Sequence, residues 1–240
     1  MQELDRRLAR GELLANARQL HQQGDEAGAE RLLQPLQPDD EVTLMLAGWA
    51  AERGDVAGAE RHYRAVLAHA PLQPEARLGM AELAQTRGDV AEARHWLLAW
   101  PVSPLPADEF NYYRRVANLY QALGEGETAR AIFTGYEPLV STQPASQQTA
   151  LFWRDAARQR FATGDAEGAL ARDRKGLVAA GLSPREDLDE GALTALARSR
   201  DGEDWLASGL RGDLDSHYRQ QQTTVSLDSD YWGSSGTGGV

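Results

Sequence analysis

The 240-residue chain contains no cysteine. That removes disulfides, thiolate metal sites and cysteine nucleophiles together, and it suits a reducing and an oxidising compartment equally. Lysine is nearly absent as well. Lys175 stands alone, and the remaining positive charge is arginine scattered among aspartate and glutamate, at a net charge of −11. A phosphate-backbone binder needs clustered basic residues, so nucleic acid is excluded as a main partner. Apolar runs are short, and none approaches the roughly 18 residues of a membrane-spanning helix. The opening stretch, MQELDRRLARGELL, is charged and amphipathic and lacks the apolar core of a secretory leader. If the chain is a piece of a longer protein, its address lies elsewhere.

The usual signatures of catalysis are also missing. The five histidines, His21, His62, His69, His95 and His217, show no His-x-x-x-His spacing and no acid-rich metal pattern. No Gly-x-Ser-x-Gly elbow occurs. The glycine-rich GSSGTGG near the end has neither a lysine nor a following helix, so it does not read as a phosphate loop. No catalytic residue, metal ligand or cofactor site is therefore assigned.

What the chain does contain is one phrase written five times. GDEAGAERLL, GDVAGAERHY, GDVAEARHWL, GEGETARAIF and GDAEGALARD begin at Gly24, Gly54, Gly88, Gly124 and Gly164, at spacings of 30, 34, 36 and 40 residues. Each phrase is a glycine, an acid, and an alanine five residues after the glycine: Ala29, Ala59, Ala93, Ala129 and Ala169. A period near 34 with this punctuation predicts stacked helical hairpins. The glycine suits the left-handed residue that ends a first helix. The acid suits the start of the second helix, where the amides and the dipole favour it. The alanine suits a close helix crossing. Leu33, Tyr63, Leu97 and Phe133, four residues after the alanine, are expected on the same helical face and in the core. The fifth copy has Asp173 there and reads as degenerate. Trp49, Trp96, Trp100 and Trp153 are expected to pack inside the repeats rather than to stack on sugars.

Between about Leu13 and Ala180 this pattern resembles the tetratricopeptide repeat family. The fourth unit matches best, with Tyr113, Val116, Ala117, Tyr120, Gly124, Ala129 and Phe133 at the family's core positions, whereas Thr43 and Arg77 replace a first-helix aromatic. The resemblance implies an all-α, right-handed superhelix of about five hairpins. It also implies a concave surface, lined by first helices, that binds peptides, proteins or polymers. Glu41, Leu44, Glu52, Glu75, Leu78, Glu82 and Gln85 would face that groove in units two and three. Asn111, Arg114, Asn118, Gln121, Arg154 and Arg158 would face it in units four and five and are the candidate polymer- or partner-binding residues. Arg114 and Asn118 resemble the opening pair of the carboxylate clamp of chaperone-binding relatives. Asp155 stands where that clamp's next repeat offers an asparagine, which disfavours a peptide carboxylate.

After the repeats the text changes. Ser183 and Pro184 are placed as the cap and first turn of a short helix through Leu193 and Leu196. Leu206, Leu210 and Leu214 then mark an amphipathic helix of about five turns, provided that Gly209 and Gly212 do not break it. From Thr224 the reading T-V-S-L-D-S-D-Y-W alternates with period two and predicts a strand followed by a Gly/Ser turn, the form of a transmembrane barrel strand. The expected organisation is a solenoid over 1–182, two capping or linker helices over 183–222, and the truncated start of an outer-membrane barrel over 223–240.

The stretch from Asp204 to Gly239, DWLASGLRGDLDSHYRQQQTTVSLDSDYWGSSGTGG, is similar to the junction that precedes the barrel in bacterial outer-membrane cellulose export proteins. That resemblance implies a non-catalytic periplasmic scaffold attached to the outer membrane. Its implied partners are the other subunits of the cellulose synthase complex and nascent cellulose or peptidoglycan. A generic protein-recruiting solenoid, and an exporter of another polysaccharide with the same layout, remain open beside it.

Overall fold

A computed structural model describes residues 2–98, 100, 104–198 and 205–234. Among these, every regular element is helical and no strand is present. The chain divides into two compact units, Met1–Ala99 and Trp100–Val240. The first holds α1 (Gln2–Gln22), α2 (Glu26–Leu33), α3 (Asp40–Glu52), α4 (Val56–Leu67), α5 (Pro74–Thr86) and α6 (Val90–Trp96). They pack as the successive pairs α1–α2, α3–α4 and α5–α6. The second holds α7 (Phe110–Ala122), α8 (Gly126–Ser141), α9 (Gln147–Ala162), α10 (Ala166–Ala179), α11 (Glu190–Arg198) and α12 (Trp205–Ser234). Here α7 pairs with α8 and α9 with α10, while α12 lies on α10, α11 and α9.

The repeated Gly-acid dipeptide closes one helix and opens the next. All five glycines have φ between +80° and +86°. The amide of the following acid reaches back to a carbonyl in the last turn: Asp25 to Leu20 at 2.9 Å, Asp55 to Ala50 at 2.8 Å, and Asp165 to Arg160 at 2.9 Å. This satisfies carbonyls that the helix end would otherwise leave without partners. The carboxylates of Asp25, Asp55, Asp89 and Asp165 then accept from the amide three residues on, at 2.8 to 3.1 Å. In the fourth unit Glu125 makes no such side-chain cap.

Ala29, Ala59, Ala93, Ala129 and Ala169 are fully buried. Around them lie Leu14, Leu33, Val42 and Trp49 near the start of the chain, and Tyr63, Val66, Met80 and Leu83 further on. The Tyr63 ring rests on the backbone of α5 at Gly79, where an added Cβ would collide with it. Trp49 is buried, with His21 stacked on it at 4.4 Å. In the second unit Trp153 is buried, and Trp100 packs against Tyr113 and Tyr136 at 5.3 and 6.2 Å.

Three expectations are corrected. Leu97 is outside α6 and only half-buried, because the proline-rich stretch beginning at Pro101 forbids another helical turn. Trp96 packs on the core instead, and Arg77 donates to the Trp96 and His95 carbonyls at 3.1 and 2.9 Å, closing the shortened helix. The short helix after the repeats starts at Glu190 rather than Pro184, and Asp189 caps it through the Ala192 amide at 2.8 Å. Gly209 and Gly212 do not break α12. The predicted strand is not formed: α12 runs on through Val225 and Tyr231 to Ser234. A lone strand has no neighbour to satisfy its backbone, whereas a helix satisfies its own. Residues 235–240, with most of the glycine-rich stretch, lie outside the described residues.

Candidate functional site

The six candidate donors lie on α7 and α9, and the fold has already engaged each of them. Arg114 donates to Asp155 on α9 at 2.7 Å and to the side-chain Oδ1 of Asn111 at 3.1 and 3.2 Å. Asn118 donates to the same Asp155 oxygen at 2.8 Å. Gln121 accepts from Gln159 at 3.5 Å. Arg158 grips Asp213 on α12 with two bonds, at 2.7 and 3.2 Å, and Arg154 reaches the same carboxylate at 3.4 Å. The Arg114, Asp155, Arg154 and Asp213 side chains are each only 13–16% exposed, while Arg158 is 50% exposed. The Arg158 pKa is raised, chiefly by its hydrogen bond to Asp213. The donors of this row therefore also stitch α7 to α9 and α9 to α12. Asp155 supplies internally the carboxylate that Arg114 and Asn118 would otherwise offer to bind.

The stitches follow the repeat register. Arg114 and Arg154 stand ten residues before their unit's glycine, and Asn118 and Arg158 six before it. Asp155 stands nine before Gly164. If Asp213 is set at the same place on α12, Gln222 falls where the glycine belongs. The burial agrees: Leu210, Leu214 and His217 then match buried Phe152, Ala156 and Gln159. So α12 is the first helix of a sixth unit that has lost its glycine, and without that stop the helix continues. Without that glycine the sequence carries no mark of the repeat at Asp213.

A second feature of this end escaped the sequence reading. Asp173, which marks the degenerate fifth copy, is fully buried, and it pairs with the Nδ1 of His217 on α12, itself 3% exposed. The Phe161 ring covers His217 at 4.3 Å. Burial pushes the Asp173 carboxyl up to about 6, against the opposing pull of the His217 hydrogen bond. Within the second unit, α12 is therefore held by Leu206, Leu210 and Leu214 in the apolar core, by Asp213 at the rim, and by His217 in the interior. The only outward-facing indole described is Trp205 at the start of α12, 62% exposed, with the Arg154 guanidinium 6.0 Å from its ring centre.

Among the described residues no group of three or more histidine, aspartate or glutamate side chains converges as metal ligands, and no helix is long and apolar enough to cross a membrane.

Among known families, residues 50–103 match the sequence profile of the tetratricopeptide repeat. Over 239 aligned residues the chain is 37% identical to "Cellulose synthase operon protein C" of Escherichia coli strain K12. Over 242 aligned residues it is 40% identical to the protein of the same name in Salmonella typhimurium strain LT2. Both alignments take in 100% of this chain but 20% of the relative, so the chain spans about a fifth of the length of the proteins it matches.

Proposed function

We propose that this segment of tetratricopeptide repeats is a non-catalytic scaffold in bacterial cellulose export, a periplasmic spacer that holds an outer-membrane pore in line with the inner-membrane synthase. The observation that carries the reading is the similarity to cellulose synthase operon protein C along the whole chain, including the α12 region beyond the repeats. The stitched first helices support a mechanical role. Partly buried Arg–Asp pairs with several hydrogen bonds fix the position of one helix against the next, and they leave little of the row to grip a ligand. No polymer route through the six donors is proposed, since each is held by another residue of the chain.

An in-frame deletion of residues 110–182 in the full-length protein of a cellulose-producing host tests this. Secreted cellulose is expected to fall to background, while synthase activity in isolated inner membranes stays at the parental level. Undiminished secretion with the shortened protein present in the envelope would overturn the proposal. Cross-linking through residues of α7 and α9 would identify the protein neighbours in the assembled exporter.

A further inference from the structure

The stitched row ends on a surface of different character. Trp205, Gly209 and Asp213 follow one another at four-residue steps, so they form a single stripe along α12. All three meet Arg154. The guanidinium lies 6.0 Å from the Trp205 ring centre, it lies 2.5 Å from where a Cβ on Gly209 would be, and it bonds Asp213 at 3.4 Å. Gly209 is thus the residue that lets an arginine lie flat against the helix beneath the indole. The other tryptophans with described side chains are buried or half-buried, whereas Trp205 turns most of its surface to solvent. Beside Asp213, Arg158 keeps half of its side chain in water.

We propose that this stripe is a stacking platform for a β-linked glucan chain; the inference rests on the export reading above and names the polymer class that the segment touches. A pyranose ring whose substituents are all equatorial has an apolar C–H face, which packs on an indole, and a rim of hydroxyls. The indole is anchored from one side by Arg154, which leaves its exposed surface to receive such a face. From Trp205 to Asp213 is about 12 Å along the helix, the length of a disaccharide. A sugar stacked on Trp205 therefore places its neighbour's hydroxyls beside the Asp213 carboxylate. An anionic ligand is disfavoured, because both arginines already share one carboxylate. A flat β-linked chain meets the whole stripe, and a curled α-linked chain does not.

The test is NMR titration of the isotopically labelled 240-residue chain with cellohexaose, and with maltohexaose as the curled control. The expected result is that millimolar cellohexaose shifts the Trp205 indole N–H and the Gly209 and Asp213 amides, and that maltohexaose leaves them in place. Trp205→Ala is expected to weaken the interaction by roughly tenfold, and Trp205→Phe to retain part of it. The amide spectrum of each variant verifies that α12 is intact. A Trp205 signal unmoved at tens of millimolar cellohexaose would overturn the platform, as would equal affinity in Trp205→Ala. Neither result touches the scaffold reading, which stands or falls on secretion by the deletion strain.

Discussion

Removing one ring from the interior of the second unit gives a sharp test of how α12 is held. His217→Ala takes away the partner of Asp173, whose side chain is fully buried. Breaking a buried pair by deleting one member costs about 3–5 kcal/mol, because the survivor keeps its charge without compensation. Asp173 is able to escape that penalty by taking up a proton. Burial raises its folded-state pKa to about 6, against an ordinary 3.8. The folded protein therefore gains a proton, as pH falls through 6, that the unfolded chain gains only near 4. The stability tied to this group rises on acidification across that window and is lost again as pH climbs through 6. Deleting His217 removes the hydrogen bond that holds the pKa down, so the window moves further up. The expected loss is about 3–5 kcal/mol at pH 7.5. At pH 4.5, with Asp173 neutral, it shrinks to roughly 1–3 kcal/mol for the lost hydrogen bond and the vacated space beside Phe161. Urea unfolding at the two pH values measures the difference, and hydrogen exchange of the α12 amides shows whether that helix detaches first. Equal losses at both pH values, or a loss below about 1 kcal/mol at pH 7.5, would refute the buried pair as the anchor.

Two further outcomes follow from the packing. Ala59→Leu and Ala93→Leu each place a large side chain where helices cross with no exposed surface, and each is expected to lower stability by about 1–3 kcal/mol in thermal or denaturant melts. A double-mutant cycle on Arg114→Ala and Asp155→Ala is expected to give a coupling of roughly 1–3 kcal/mol, since the two side chains are mostly buried and bonded at 2.7 Å; a coupling near zero would make the stitch ornamental.

The helical pairs were legible because the local rules agree at every repeat. A glycine that must be left-handed, an acid that caps, and an alanine that admits a close neighbour recur in one order, and each is a short-range requirement visible in the text. Leu97 stands at the spacing of a core residue from Ala93, but Pro101 ends the helix before that spacing applies. The strand misled for a related reason: T-V-S-L-D-S-D-Y-W alternates, but period two decides between strand and helix only where another strand waits to pair. The donors of the candidate row were legible as residues, and their internal partners were not. Donor side chains in register say that something accepts from them. That the acceptors were Asp155 and Asp213, one of them on a helix without the repeat's glycine, is a statement about which helix lies beside which. Asp173 looked like decay of the repeat because its partner lies 44 residues away.

The stitches have a direction, and with it a capacity to be counted and extended. α9 carries both ends of the joint: Asp155 accepts from α7, while Arg154 and Arg158 donate onward to α12. On α7 the acceptor's place is held by Arg115, and on α12 the donors' places are held by Gly212 and Ser216, so the series is terminated in the sequence at both ends. A joint of this kind behaves like a tongue-and-groove board, identical copies of which fit in any number between two plain-edged ends. A second copy of α9 and α10 spliced after the first would present an aspartate to the waiting arginines and arginines to the waiting Asp213. The length of this stretch is thereby open to change by whole units along the Arg–Asp stitches, and only Leu151 and Gln159, which take the places of Gly209 and His217, call for redesign at the splice.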